Sequence, residues 1–294
     1  MLLDGDMWMR SVGAGERRAA ERSGEDTILA VARALDLIEL LSSSSDGMSL
    51  AEISRELELN KAIIVRLLDT LEHAGYIWRD DRVQRFYLTY RVSNIGLRHL
   101  QTSRLLDQCA AVLKSLAEES GELVRLAVVE PGGDKLTWVH LVSGAKRTLQ
   151  IDPNYSLEIS LHTHAIAKAW LSTMPIERAM ALIAAQGIEA RTQYSKTDPE
   201  VIRDDLEQAA RRGFAGSFEE NEIGISAIAA PIWADTLQDG RECVGAVSLA
   251  APTNRTTRED LEAWGPALIR TTEQLGRIWP LEARARSGPF PQRF

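Results

Sequence analysis

The stretch that most constrains this chain is residues 49–88, SLAEISRELELNKAIIVRLLDTLEHAGYIWRDDRVQRFYL. Ser49 followed three residues later by Glu52 is the pattern of a capping box, in which each residue satisfies the other's backbone N–H and a helix begins. Leu50, Ile53 and Leu57 then share one helical face. Leu59-Asn60 interrupts the period, and Ile64, Leu67, Leu68 and Leu71 resume it in a second helix. Gly75 suits the left-handed conformation that ends such a helix. Tyr76-Ile77-Trp78 and Arg85-Phe86-Tyr87-Leu88 read as two strands about the turn Asp80-Asp81-Arg82. Helix, turn, helix and hairpin in that order predict a winged helix-turn-helix, a module that reads DNA.

Bulk charge does not supply that function. The net charge is -8, and residues 25–100 hold nine Lys/Arg against twelve Asp/Glu. DNA binding by such a chain rests on where its cations stand. Between residues 73 and 98, Arg79, Arg82, Arg85, Arg91 and Arg98 are opposed only by Asp80 and Asp81, a modest basic edge. In the second helix Asn60, Lys61, Ala62, Ile63, Val65 and Arg66 project outward or sideways from the buried row. Lys61 and Arg66 suit phosphates or guanine edges. Ile63 reads equally as a contact for thymine methyl groups or as a widening of the buried face, and Val65 is expected to be buried. With Ser49, Arg82 and Arg85 these residues form the candidate DNA-contacting set.

The order and detail of these motifs resemble the IclR family of bacterial transcription regulators. The likeness begins near Thr27 with AVARALDLIELL and runs almost to Trp279. Family members carry a recognition helix similar to L-P-K-S-T-V-H-R-L-L, where this chain has LNKAIIVRLL at residues 59–68. The frame Arg66-Leu67-Leu68 is kept. Ala62, Ile63 and Val65 replace the Ser-Thr pair and the His, which removes hydroxyls that would bond phosphate and implies a different operator. The resemblance implies a winged DNA-binding domain over residues 27–90, a linker helix over 91–103 that helps pair subunits, and a GAF-like effector domain over 104–280. Its expected partners are a double-stranded DNA operator, a small-molecule effector and a second copy of the chain in a homodimer or homotetramer.

The remaining residues fit two domains, which 294 residues suffice to bury. Residues 1–26, where four arginines meet four acids up to residue 24, are expected to form a flexible arm. Residues 27–41 read as an amphipathic helix burying Ile28, Val31, Leu35, Ile38 and Leu41. Helices follow at 92–99 and 105–120, the latter closed by Gly121. From residue 122 the period alternates, with strands at 123–129, 135–142, 147–151, 213–218, 225–233 and 242–250. Between and after them come helices at 165–172, 176–185 and 199–212, and one long helix over 257–279 capped by Thr256 and Glu259. The fold class is α+β: an antiparallel sheet with flanking helices beside the winged domain. Residues 281–294, with Pro289 and Pro291, are expected to be disordered.

Helices covering one sheet face leave the other for a ligand. The stretch SLHTHAIAKA at residues 160–169 sits at the start of a helix, where an anion is favoured. It resembles the family's L-H-A-T-A-L-G-K-A, which borders the effector pocket. Carried over by position, the pocket involves His162, His164, Ala165, Ile166, Ser217, Ile225, Ala227, Ser248 and Ala250. Relatives that bind small organic acids have an Asp, a Cys and a second Ser where Ser217, Ala227 and Ala250 stand. Fewer polar groups point to a larger, less polar effector, such as an aromatic acid of a catabolic pathway.

Other chemistries are weaker. His162 and His164, with His140, lack a nearby carboxylate or cysteine, so packing is preferred to metal ligation and no metal or cofactor is implied. Lys168 reads as structural or exposed rather than catalytic, and Trp138, Trp170 and Trp233 as core, with one of the three lining the pocket as the alternative. Cys109 and Cys243, the two cysteines, stand far apart in apolar surroundings, which suits a reducing cytoplasm. No apolar run spans a bilayer, and Asp4, Asp6 and Arg10 fall where a signal peptide is apolar. Two alternatives to a regulator are an enzyme acting through the C-terminal domain and a sensor whose helix-turn-helix binds protein. The first lacks a nucleophile–base pair, a Gly-rich phosphate loop or a metal set.

Overall fold

The computed structural model describes residues 28–144, 151, 158–235 and 240–279. The expected arm at 1–26, the tail at 281–294 and all but the last residue of the strand expected at 147–151 lie outside the described residues. The chain divides into two compact units, Met1–Thr102 and Ser103–Phe294.

The first unit contains α1 (Leu29–Ser42), β1 (Met48–Ser49), α2 (Leu50–Glu56), α3 (Lys61–His73), β2 (Ile77–Asp80) and β3 (Arg85–Leu88). Helix α4 (Tyr90–Ser103) follows the wing and is longer than the 92–99 read from sequence. The capping box forms: Ser49 N–H donates to Glu52 at 2.7 Å, and Glu52 N–H donates to Ser49 Oγ at 3.3 Å. Those bonds, and then Arg85, hold the Glu52 carboxyl below the ordinary carboxylate range. Asn60 caps α3 by accepting the Ile63 N–H at 2.9 Å. Gly75, at φ +76°, follows α3 and turns the chain into the wing. Leu37, Leu41, Ile53, Ile64, Leu68 and Ile77 form the core. The wing is three-stranded, in the order β1-β3-β2. Its two-residue β1 has no period to read.

Helix α1 corrects one expectation. Leu37 and Leu41 are buried, with Ala34, Ile38 and Leu40 partly so, whereas Ile28, Val31 and Leu35 are exposed. Apolar residues lie on two sides of this helix, so the period finds a stripe without deciding which stripe meets the core.

The second unit opens with α5 (Leu105–Ser120), closed by Gly121 at φ +70°. Strands β4 (Leu123–Val129) and β5 (Leu136–Ser143) precede α6 (Ala165–Leu171), α7 (Ile176–Gln186) and α8 (Pro199–Arg212). Strands β6 (Ala215–Phe218), β7 (Ile225–Asp235) and β8 (Arg241–Pro252) follow, then α9 (Arg258–Glu262) and α10 (Gly265–Ile278). The five strands form an antiparallel sheet in the order β5-β4-β8-β7-β6.

Helices cover both faces of this sheet, where sequence suggested one. Residues of α5, α9 and α10 pack with Val124, Leu126, Val247 and Leu249, while residues of α6, α7 and α8 pack with Ala127, Ala229 and Ala246. The helix expected over 257–279 is two helices. The proline at the start of α10, Pro266, has no N–H to continue a preceding helix and is tolerated only in a first turn. The cap is Thr257 with Asp260, whose N–H donates to Thr257 Oγ1 at 3.1 Å, rather than Thr256 with Glu259. A side chain at Gly276 would collide with the Trp233 carbonyl, so glycine lets α10 lie directly on β7. No helix among the described residues is long and apolar enough to cross a membrane.

Candidate functional site

In the first unit, the exposed face of α3 carries Lys61, Ala62, Val65 and Arg66. Val65 is 40% exposed, contrary to the burial expected of it, while Ile63 is partly buried against the core. The difference follows from phase: Ile63 stands beside Ile64 and Leu67, and Val65 falls on the solvent side between Lys61 and Arg66. Among the expected DNA contacts, Ser49 and Asn60 have side chains engaged as helix caps. Arg85 is also occupied. Its guanidinium donates to the Asp46 carbonyl at 3.0 Å and the Gly47 carbonyl at 3.1 Å and pairs with Glu52 at 3.2 Å, fixing β3 against the loop before α2. Arg82 is exposed at the wing tip, where its N–H accepts the turn-closing role by donating to Asp80 Oδ1 at 2.8 Å. Trp78 and Tyr87 stack at 4.8 Å and stiffen the wing. The result is an α3 face with two cations at its start and middle, beside a rigid hairpin tipped by Arg82.

In the second unit a cleft opens where α6 begins. It encloses about 330 Å³ of empty space, counting the open mouth. The strand residues in its wall share one sheet face: Arg125 on β4 lies opposite Ser248 on β8, and Ser217 on β6 opposite Ala227 on β7. His164, Ala165, Ile166 and Ile225 complete the part expected from sequence. His162 and Ala250 do not line the cleft. His162 shares a 3.0 Å hydrogen bond with the Glu189 carbonyl, and Ala250 packs with Leu123 and Ile151. Trp138 is the tryptophan that lines the cleft, and three further wall residues, Arg125, Asn221 and Glu222, were not expected. Arg125 stands in the alternating run LVRLAVV, where an inward-facing cation on a core strand was the legible signal.

Arg125 decides what the cleft can hold. It is 4% exposed, and its guanidinium lies 4.1 Å over the Trp138 ring. A cation stacked on an indole face gives this wall a buried positive charge, which suits an anionic group such as a carboxylate. Two further atoms in the wall, Trp138 Nε1 and Ser248 Oγ, are buried without a hydrogen-bond partner among the described residues. Each such group costs about 1–3 kcal/mol until something bonds it. Burial, and then Arg125, push the His164 imidazole down to about 3, so it is neutral at physiological pH. Its Nδ1 accepts the Ser160 N–H at 3.0 Å, which places the ring proton on Nε2. Burial lowers His162 too. Lys168 is buried and ion-paired, which removes the exposed alternative.

A winged helix with a cationic reading face, joined to a separate sheet unit with a polar-walled cleft, is the build of a ligand-responsive DNA-binding protein. Comparison with known proteins places it further. The IclR helix-turn-helix domain model matches residues 30–81, and the model of the bacterial transcriptional regulator IclR C-terminal domain matches residues 97–277. The chain belongs to the IclR family of bacterial transcriptional regulators. It is 24% identical to the transcriptional repressor IclR of Escherichia coli over 84% of this chain and 89% of that protein. The crystal structure of an IclR regulator from Alicyclobacillus acidocaldarius has a TM-score of 0.72 at 23% identity, covering 90% of this chain and 100% of that one. A second, an IclR homologue from Microbacterium hydrocarbonoxydans complexed with 4-hydroxybenzoate, has a TM-score of 0.64 at 19% identity, covering 86% and 99%. The chain is thus a DNA-binding transcription regulator and not an enzyme.

Proposed function

We propose that this regulator senses a small aromatic acid in the cleft of its second unit and alters operator binding in response. The observation that carries the reading is Arg125, a buried guanidinium stacked on Trp138 beside two partnerless polar atoms. A carboxylate on Arg125 and a ring against Ile166, Ile225 and Ala227 use the wall's charge and its apolar area together. The 4-hydroxybenzoate bound by the Microbacterium homologue has this chemistry. Operator contacts are assigned to Lys61, Ala62, Val65, Arg66 and Arg82; Ile63 borders them, and Ser49, Asn60 and Arg85 position the helices and wing.

The protein works as a cytoplasmic homodimer in this account. Ile28, Leu29, Val31 and Leu35 on α1 and Tyr90, Ile95 and Leu97 on α4 expose apolar surface that a second copy would cover. Two winged units then read half-sites about one helical turn apart, roughly 34–36 Å.

A thermal-shift series with benzoate, 4-hydroxybenzoate and acetate tests the ligand class. At 100 times its Kd an aromatic acid should add about 2.7 kcal/mol of stability, and acetate far less. Equal shifts for acetate and benzoate, or none for any acid, would remove the aromatic-acid reading.

A further inference from the structure

Lys168 lies on α6, in the same helix as the wall residues Ala165 and Ile166, and is 1% exposed. Its ammonium stands 2.6 Å from Glu220 Oε2 and 2.8 Å from Asp205 Oδ2, and donates to the Gly216 carbonyl at 3.3 Å. Lys196 closes the figure, at 2.7 Å from Asp205 Oδ1 and 3.5 Å from Glu220 Oε1. Two cations and two carboxylates therefore alternate around a ring with no net charge. Burial pushes the Asp205 carboxyl up, but Lys168 and Lys196 outweigh it and hold the group below its ordinary value.

Stability alone does not explain the ring, because apolar side chains of similar volume avoid the desolvation that buried ions incur. What it grips is more telling. Glu220 is followed at once by Asn221 and Glu222, both in the cleft wall. The same segment is tied from three other sides. Thr192 Oγ1 donates to the Glu219 carbonyl and Ser195 Oγ to the Glu220 carbonyl, each at 2.6 Å. Gly224 N–H donates to Glu219 Oε1 at 2.7 Å, and Thr163 Oγ1 donates to Asn221 Oδ1 at 3.2 Å. Glu219 itself has φ +56°, a left-handed conformation that a residue with a side chain keeps only where its surroundings dictate it.

We infer that the ring of Lys168, Glu220, Lys196 and Asp205 is the positioning device of the effector cleft. It fixes the backbone carrying Asn221 and Glu222, and through that wall sets the affinity for the bound acid. None of the four lines the cleft, so they act through the segment they hold. The effector half of this inference rests on the aromatic-acid reading; the wall half does not.

The test uses the full chain and two variants, Lys196→Met and the charge-balanced double variant Lys168→Met/Glu220→Gln, which leaves Lys196 paired with Asp205. Hydrogen–deuterium exchange is followed along the chain, and 4-hydroxybenzoate is titrated into each protein. Amides of residues 219–225 should exchange at least about tenfold faster in both variants, with residues 48–88 unchanged. The 4-hydroxybenzoate Kd should rise by a similar factor, while DNA affinity without ligand stays the same. Unchanged exchange at 219–225, or acceleration spread evenly over the whole second unit, would overturn the inference. Were 4-hydroxybenzoate to bind no form of the protein, the ligand class would be refuted, and the exchange rates would still decide what the ring does.

Discussion

At the scale of single residues, the two arginines Arg66 and Arg125 do different work from the third, Arg85. Arg66 stands exposed on α3, so Arg66→Ala should weaken operator binding by about 1–3 kcal/mol without loss of folding stability. A mobility-shift titration and a thermal melt of the same variant check both halves. Arg85 is tied to the Asp46 and Gly47 carbonyls, so Arg85→Ala should lower the melting temperature first. Arg125→Ala should cost about 2–5 kcal/mol of effector affinity by calorimetry, because it strips a desolvated charge from the bound carboxylate. Arg125→Lys should recover only part, since a point charge replaces a planar fork. His164 makes a pH prediction. Its folded value of about 3 lies below the roughly 6.5 of a free imidazole, so acid protonates the unfolded chain first. Stability from this group is complete above pH ~6.5 and falls as pH drops toward 3. Urea unfolding of His164→Asn, which keeps an acceptor for the Ser160 N–H, should show a shallower loss between about pH 6.5 and 4; an identical slope would mean that His164 does not titrate this way.

At the scale of elements, the helix starts carry much of the local definition. Ser49→Ala removes one half of the box that opens α2 and should lower unfolding stability by about 1 kcal/mol in denaturant titration. How much was legible in the sequence follows from what each element needs. The winged module was readable because α2, α3 and the wing each carry a period and a stop signal, down to Asn60 and Gly75. Of the pocket positions carried over from the family resemblance on β6, β7 and β8, Ser217, Ile225, Ala227 and Ser248 line one cleft, whereas Ala250 packs with Leu123 and Ile151 instead. Phase failed where apolar residues occur on two sides, as on α1, and where a single residue separates alternatives, as at Val65. Arg125 was missed because its role depends on a partner across the sheet: neither Arg125 nor Trp138 alone says that a guanidinium will lie on an indole. The charge ring was hidden for the same reason. Lys168 and Glu220 are 52 residues apart, and only the packing of α6 on β6 joins them.

At the scale of the molecule, a chain of net charge -8 binds an anionic polymer only through a confined face, so ionic strength should act steeply on that contact. The proposed effector cleft belongs to a different compact unit from α3, the proposed reading helix. Communication between them is therefore a coupling free energy, of roughly 1–3 kcal/mol in typical cases, and it is reciprocal: DNA must change effector affinity by the factor by which effector changes DNA affinity. In the proposed dimer the exposed apolar rows on α1 and α4 would carry that coupling, and Val31→Glu/Leu35→Glu should give a monomer by light scattering with weakened operator binding. The most direct test of the whole account is fluorescence anisotropy on a labelled duplex that the protein has selected from a random pool, titrated at several salt concentrations with and without saturating 4-hydroxybenzoate. The account predicts affinity that falls steeply with salt, and a Kd shifted about 5–150-fold by the ligand in the wild type but not in Arg125→Ala. Duplex binding indifferent to salt, or a Kd shifted equally in wild type and Arg125→Ala, would contradict it.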